Sequence, residues 1–144
     1  MTRAQAEIAL DAKLVEPNPA ADQDDCVILT AATLQGFNLM LKDGRVVRLS
    51  IWLNQKPGDR EAAVMIRTAE GVGLLSTDRQ VRAAYPKGLV RTPANYDDEP
   101  AHNLVFHEPT NAALGLRFEV NAHSRVVVLH AGQEPALSSI EDCL

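Results

Sequence analysis

Aromatic residues are scarce: one Trp, two Tyr and three Phe make up 4% of this 144-residue chain. Positive charge is short as well, with 14 Lys and Arg against 19 Asp and Glu, a net charge of −5. A nucleic-acid interface wants a basic face and stacking rings, so both shortages argue against nucleic acid as a partner. No apolar run approaches the ~20 residues of a membrane-spanning helix. The pair Gly71-x-Gly73 lacks the third glycine and the Lys-Ser/Thr of a phosphate loop. No G-x-S-x-G elbow is present to raise a nucleophilic serine. No metal is needed for folding, because a chain of this size buries roughly 70% of its unfolded surface.

What is there is ordinary for a soluble globular protein: 46% apolar and 23% charged residues. Two stretches stand out, Thr2–Val15 and Thr77–Val90, and both begin T-x-x-Q. Thr at an N-cap accepts from the amide three residues on, and Gln there returns a bond to the cap's own amide. The spacing predicts a helix in each. A shift of 75 superposes Thr2 on Thr77, Gln5 on Gln80, Ala9 on Ala84, Leu14 on Leu89 and Val15 on Val90. Ala6, Ala9 and Leu10 fall on Val81, Ala84 and Tyr85, the i, i+3, i+4 spacing of a buried helical face.

Between and after these helices the pattern turns to strands. Glu16–Asp25 reads as a polar loop with two prolines, and Cys26–Thr33 as a strand. Phe37–Leu41 and Arg45–Leu53 flank Lys42-Asp43-Gly44, a hairpin signal. Phe37, Leu39 and Leu41 share one face, as do Val47, Leu49, Ile51 and Leu53; Met40, Arg48, Ser50 and Trp52 lie opposite. Asn54–Arg60 reads as a loop, Ala62–Thr68 as a strand, Arg91–Pro100 as a loop and His102–His107 as a short strand. Leu114–Asn121 and Arg125–Ala131 form a second hairpin, in which Arg125-Val126-Val127-Val128-Leu129 repeats Arg45-Val46-Val47-Arg48-Leu49 at a shift of 80. The expected fold is α+β: two tandem helix-plus-antiparallel-sheet repeats, about 1–53 and 72–131, forming one compact domain over 1–144. The tail from Gln133 reads as irregular, with a turn near Ala136–Ile140.

The two cysteines are Cys26 and Cys143. Bonded, they tie the tail to the first repeat and imply an oxidising compartment, periplasmic or secreted. Met1–Leu14 is charged throughout and has no apolar core, so it is not a leader; the oxidising reading therefore places a removed leader upstream. The alternative is a cytoplasmic protein with two free thiols.

The helix start Met1-Thr2-Arg3-Ala4-Gln5, with its looser copy Leu75-Ser76-Thr77-Asp78-Arg79-Gln80-Val81, resembles that of the β-lactamase inhibitory protein and the SmpA/OmlA-type lipoproteins. The ending Glu141-Asp142-Cys143 is similar to the Glu-Gly-Cys of small bacterial periplasmic proteins. The resemblance implies protein–protein binding across a sheet face, with no cofactor. It departs where Asp11-Ala12 replaces the glycine that closes the first helix, and no lipid-attachment cysteine stands at the N-terminus.

Candidate site residues follow from facing. Met40, Arg48, Trp52, Val126, Val128 and His130 fall on the outer side of the sheet, where a solvated strand would be polar. Apolar residues there mean a partner surface, a homodimer face, or cover by a loop or the tail. Trp and Arg are enriched at interface hot spots, so Trp52, Arg48, Met40, Val128 and His130 form one candidate patch. Tyr96 beside Asp97-Asp98-Glu99 forms a second, acidic one. His102 and His107 are five apart on one strand and point to opposite faces, and His123 sits in a turn, so no metal site is expected. The expected function is a non-enzymatic, inhibitor-like binding module for another protein. The rivals are a toxin-immunity protein and a small hydrolase using His102 or His130 with Asp97 or Asp98.

Overall fold

The computed structural model describes residues 1–17, 25–53 and 60–143, with backbone alone at 60–62. Of the loops expected at Glu16–Asp25 and Asn54–Arg60, residues 18–24 and 54–59 lie outside the described residues. The chain is α+β and mostly strand. In order it runs α1 (Arg3–Leu10), β1 (Leu14–Val15), β2 (Cys26–Ala31), β3 (Leu34–Lys42), β4 (Arg45–Trp52), α2 (Arg60–Met65) and α3 (Asp78–Ala84). It ends with β5 (Leu89–Pro93), β6 (His102–Glu108), β7 (Asn111–Val120) and β8 (Val126–Gln133). The strands form one antiparallel eight-stranded sheet in the order β1-β2-β3-β4-β8-β7-β6-β5.

Both T-x-x-Q sites are complete capping boxes, at Thr2 and Thr77. Each helix is shorter than its pattern. Asp11 turns left-handed (φ 48°) and ends α1, while Pro86 stops α3 after Tyr85 because it has no amide to donate. The chain just before each Thr lies on a strand start: Val46 N donates to Met1 O at 2.8 Å, and Val126 N to Ser76 O at 2.9 Å.

The main core lies between the sheet and the helices. Leu29, Phe37, Leu39, Leu41, Ile51, Leu104, Phe118 and Leu129 meet Ala6 of α1, Ala63 of α2 and Val81 of α3. Tyr85 packs its ring on Phe106 and Phe118, at 4.6 and 5.7 Å.

Four expectations are corrected. Ala62–Thr68 is not a strand: Arg60–Met65 is helical, since Glu, Ala and Met favour a helix once Ala63 has a core to meet. Arg91–Pro100 is not all loop, because Leu89–Pro93 pairs with β6. Val47 does not share a face with Leu49. The register breaks between Met40 and Leu41, Leu41 pairs with Val46, and Val47 packs with Cys26, Met40 and Cys143. Val126 is likewise not outside. A register break between Glu119 and Val120 turns it into the main core. One extra residue in a strand is enough to reverse facing.

Candidate functional site

The sheet face away from the helices is read best as cross-strand rows. Trp52, Val128, Glu119 and Asn103 form one, Ser50, His130, Arg117 and Val105 the next, and Arg48, Gly132, Gly115 and His107 the third. The third row has a bare centre. A Cβ on Gly115 would meet Phe106 O at 2.4 Å and Leu137 Cδ2 at 2.9 Å. The C-terminal tail crosses there. Glu134 Oε1 takes His107 Nε2 at 2.9 Å, Leu137 is fully buried over Gly115, and Cys143 is bonded to Cys26, with Cα atoms 5.4 Å apart. Thr and Gln cap the helices; the tail and the disulfide cap the sheet.

Two guanidiniums hold the tail. Arg48 Nη1 donates to Ala136 O at 2.9 Å and Ser139 O at 3.1 Å, and its Nη2 meets the Asp142 carboxylate. Arg117 Nη1 donates to the same Ser139 O at 3.1 Å. Arg117 also faces His130, with Nη2 3.0 Å from Nε2, and Glu119 Oε1 lies 3.0 Å from that nitrogen. Ser50 Oγ sits 2.8 Å from His130 Nδ1, and the Trp52 ring stands edge-on to the imidazole at 5.9 Å.

Burial first, then the charges of Arg117 and Arg48, push the His130 ring below its ordinary 6.5, against the opposing Glu119 bond; the ring is neutral at pH 7. A neutral ring has one N–H. It either donates from Nε2 to Glu119 and accepts the Ser50 hydroxyl at Nδ1, or donates from Nδ1 to Ser50 and accepts from Arg117. Burial alone would raise the Glu119 carboxyl, but the His130 hydrogen bond and the charges of Arg117 and Arg48 outweigh it and hold it low.

Of the expected patch, Arg48, His130, Val128 and Met40 are buried together beneath or beside the tail, and Trp52 alone stays open, at 39% exposure. Tyr96 is 76% exposed, and its hydroxyl donates to Glu141 Oε1 at 3.3 Å, which brings the acidic loop to the tail. Asp97 and Asp98 are exposed. The groups named for hydrolysis do not converge. His102 bonds Asp78 Oδ2 at 2.7 Å on the helix side, His130 bonds Glu119, and among the described residues Asp97 and Asp98 bond no histidine. Ser50, His130 and Glu119 do have the spacing of a nucleophile, base and orienter. However, Ser50 is buried, and burial, with the adjoining guanidinium, makes His130 a weak base. Among the described residues no group of three or more His, Cys, Asp or Glu could hold a metal ion, and no helix is long and apolar enough to cross a membrane.

Sequence reading missed Arg117, Glu119 and the tail's Ser139 and Asp142 as parts of this cluster. Alternation against Leu116 and Phe118 was a signal for the first two; the tail's path was marked only by Cys143, whose bond to Cys26 says nothing of Ser139 or Asp142. No protein-family model, curated protein or solved structure matches the chain.

Proposed function

We propose that the chain is a non-enzymatic protein-binding module, periplasmic or secreted, built by duplication of one helix-plus-antiparallel-sheet unit. Support for duplication is the pair of capping boxes, each preceded by a backbone bond to the matching strand start, and the mirrored order of β1–β4 and β5–β8 about the β4–β8 seam. The binding reading rests on one observation: Trp52 remains open on a sheet face that the tail otherwise covers. Glu119 lies in the Trp52 row, and Tyr96, next to Asp97 and Asp98 in the chain, is bonded to Glu141, so each open ring has carboxylates for neighbours. A hot-spot ring in an acidic rim fits a basic protein surface. A basic toxin, bound by an immunity protein, is one partner of that chemistry.

The test is capture by the immobilised full chain from extracts of its native compartment, followed by salt titration. Wild type is compared with Trp52→Ala/Tyr96→Ala, Asp97→Asn/Asp98→Asn, and a helix-side control, Ile8→Ala/Met65→Ala, whose residues are also exposed. The first pair should abolish capture. The second should weaken it and flatten its salt dependence, and the control should retain it. A partner held equally by the wild type and the first pair sinks the reading.

A further inference from the structure

The tail lies on the sheet without joining the main core. Its apolar footing is the separate small cluster of Cys26, Met40, Val47 and Cys143, with Ile28 and Ala136 beside it, together with Leu137. Its polar footing is the pair of guanidiniums. Arg48 and Arg117, only 1% and 4% exposed, converge on the single Ser139 carbonyl. The Nε of each is buried with no partner among the described residues. Two buried cations call for anionic partners. The tail supplies one carboxylate, Asp142, to Arg48, and the sheet supplies Glu119, 3.3 Å from Arg117 Nη2; lifting the tail removes Asp142 and the Ala136 and Ser139 carbonyls, which leaves Arg48 without an anion beside the vacated Nη1 of Arg117. Beside the tail opens a cleft of about 670 Å³, lined by Cys26 and Cys143 themselves and by Lys42 and Arg45. Asp25, Asp43, Glu134 and Asp142 line it as well; solvent therefore has a route to the disulfide through a polar cleft.

We propose that the tail is a thiol-operated strap over a latent oxyanion site. A dithiol reductant opens Cys26–Cys143, and the freed tail uncovers Arg48 and Arg117, which take a carboxylate or phosphate group in its place. The exchange balances without a further co-reactant. One thiolate of the dithiol attacks a sulfur of the bond, and the other cysteine leaves as its thiolate. The second thiol of the dithiol then resolves the mixed disulfide. Two electrons and two protons end on Cys26 and Cys143, and the dithiol leaves as its own disulfide. Because the strap's apolar footing is separate from the main core, the sheet and helices stay folded when it lifts.

Trp52, the chain's one tryptophan, reports the event through His130 and Arg117. The full chain is treated with dithiothreitol without denaturant, then titrated with inorganic phosphate against chloride at matched ionic strength. Two thiols should become reactive, the far-UV circular dichroism should hold, and Trp52 emission should shift. Emission of the reduced chain should then respond saturably to phosphate in the millimolar range, with no response from the oxidised chain. Cys26→Ser/Cys143→Ser should behave as the reduced chain without reductant. Adding Arg117→Gln to it should weaken the phosphate response about tenfold, as expected for a lost charge-assisted bond. Thiols that appear only on global unfolding would overturn the strap. Equal phosphate and chloride responses, or equal responses in both redox states, would overturn the oxyanion site.

Discussion

Taking His130 out of water works against its charged form, and the neighbouring Arg117 and Arg48 work the same way. Its folded pKa lies below the unfolded value of 6.5. As pH falls through about 6.5 the unfolded chain binds a proton that the folded chain refuses, so stability falls with pH. Glu119, held low in the fold, adds a second loss as pH falls below its ordinary 4.5. Urea midpoints should therefore drop between pH 7.5 and 5.5, and His130→Gln should flatten that step. Tyr85 sets an alkaline limit. Burial, then its bond to Glu70, pushes it up to about 12, so stability should fall above pH 10 as the unfolded phenol ionises first; Tyr85→Phe should remove that fall. Gly115 is a steric prediction. Its alanine would press on Phe106 O and Leu137, at an expected cost of about 1–3 kcal/mol in chemical denaturation.

Helix caps were legible because a cap is a local device. The T-x-x-Q spacing specifies both hydrogen bonds of the box, and both are made at Thr77: Thr77 N to Gln80 Oε1 at 2.8 Å and Gln80 N to Thr77 Oγ1 at 3.1 Å. Thr77→Ala should cost about 1 kcal/mol and Thr2→Ala a similar amount, the two adding because the sites share no contact; thermal melts of the single and double variants check this. The Asp43-Gly44 hairpin was legible for the same reason, with both residues at positive φ. The end of α3 was legible too, because Pro86 and Gly88 stop a helix locally; the end of α1, α2 and β5 were not. Leu14 continues an apolar pattern yet pairs with Ala31 across the sheet, a tertiary demand that outweighs local propensity. Thr92-Pro93 reads as a turn locally and becomes a strand only because β6 lies beside it. The two bulges are equally silent, so alternation placed Val128 and His130 correctly and Val126 wrongly.

At the scale of the molecule, the Cys26–Cys143 bond spans 117 residues. Chain-entropy reasoning for so long a loop gives about 4–5 kcal/mol, felt through the unfolded state. Cys26→Ser/Cys143→Ser should lose up to that amount in global denaturation while keeping its far-UV spectrum. A spectrum lost in buffer would mean that the remaining core cannot stand alone. Facing rules alone showed that the outer sheet surface is too apolar for solvent. They did not choose among tail, partner and second copy, because cover by residues some 90 positions away leaves no periodic trace; Arg48 and Asp142 are 94 apart.

The outermost strands of the described sheet are β1, two residues long, and β5, which carries exposed Arg91 and closes on Pro93. Both margins are blunt: one is too short to template a neighbour, and the other is interrupted by a charge and a missing amide. The ladder therefore stops propagating at its own borders. Concentrating the protein should not recruit further molecules strand by strand into fibres, so light scattering should stay flat across a concentration series.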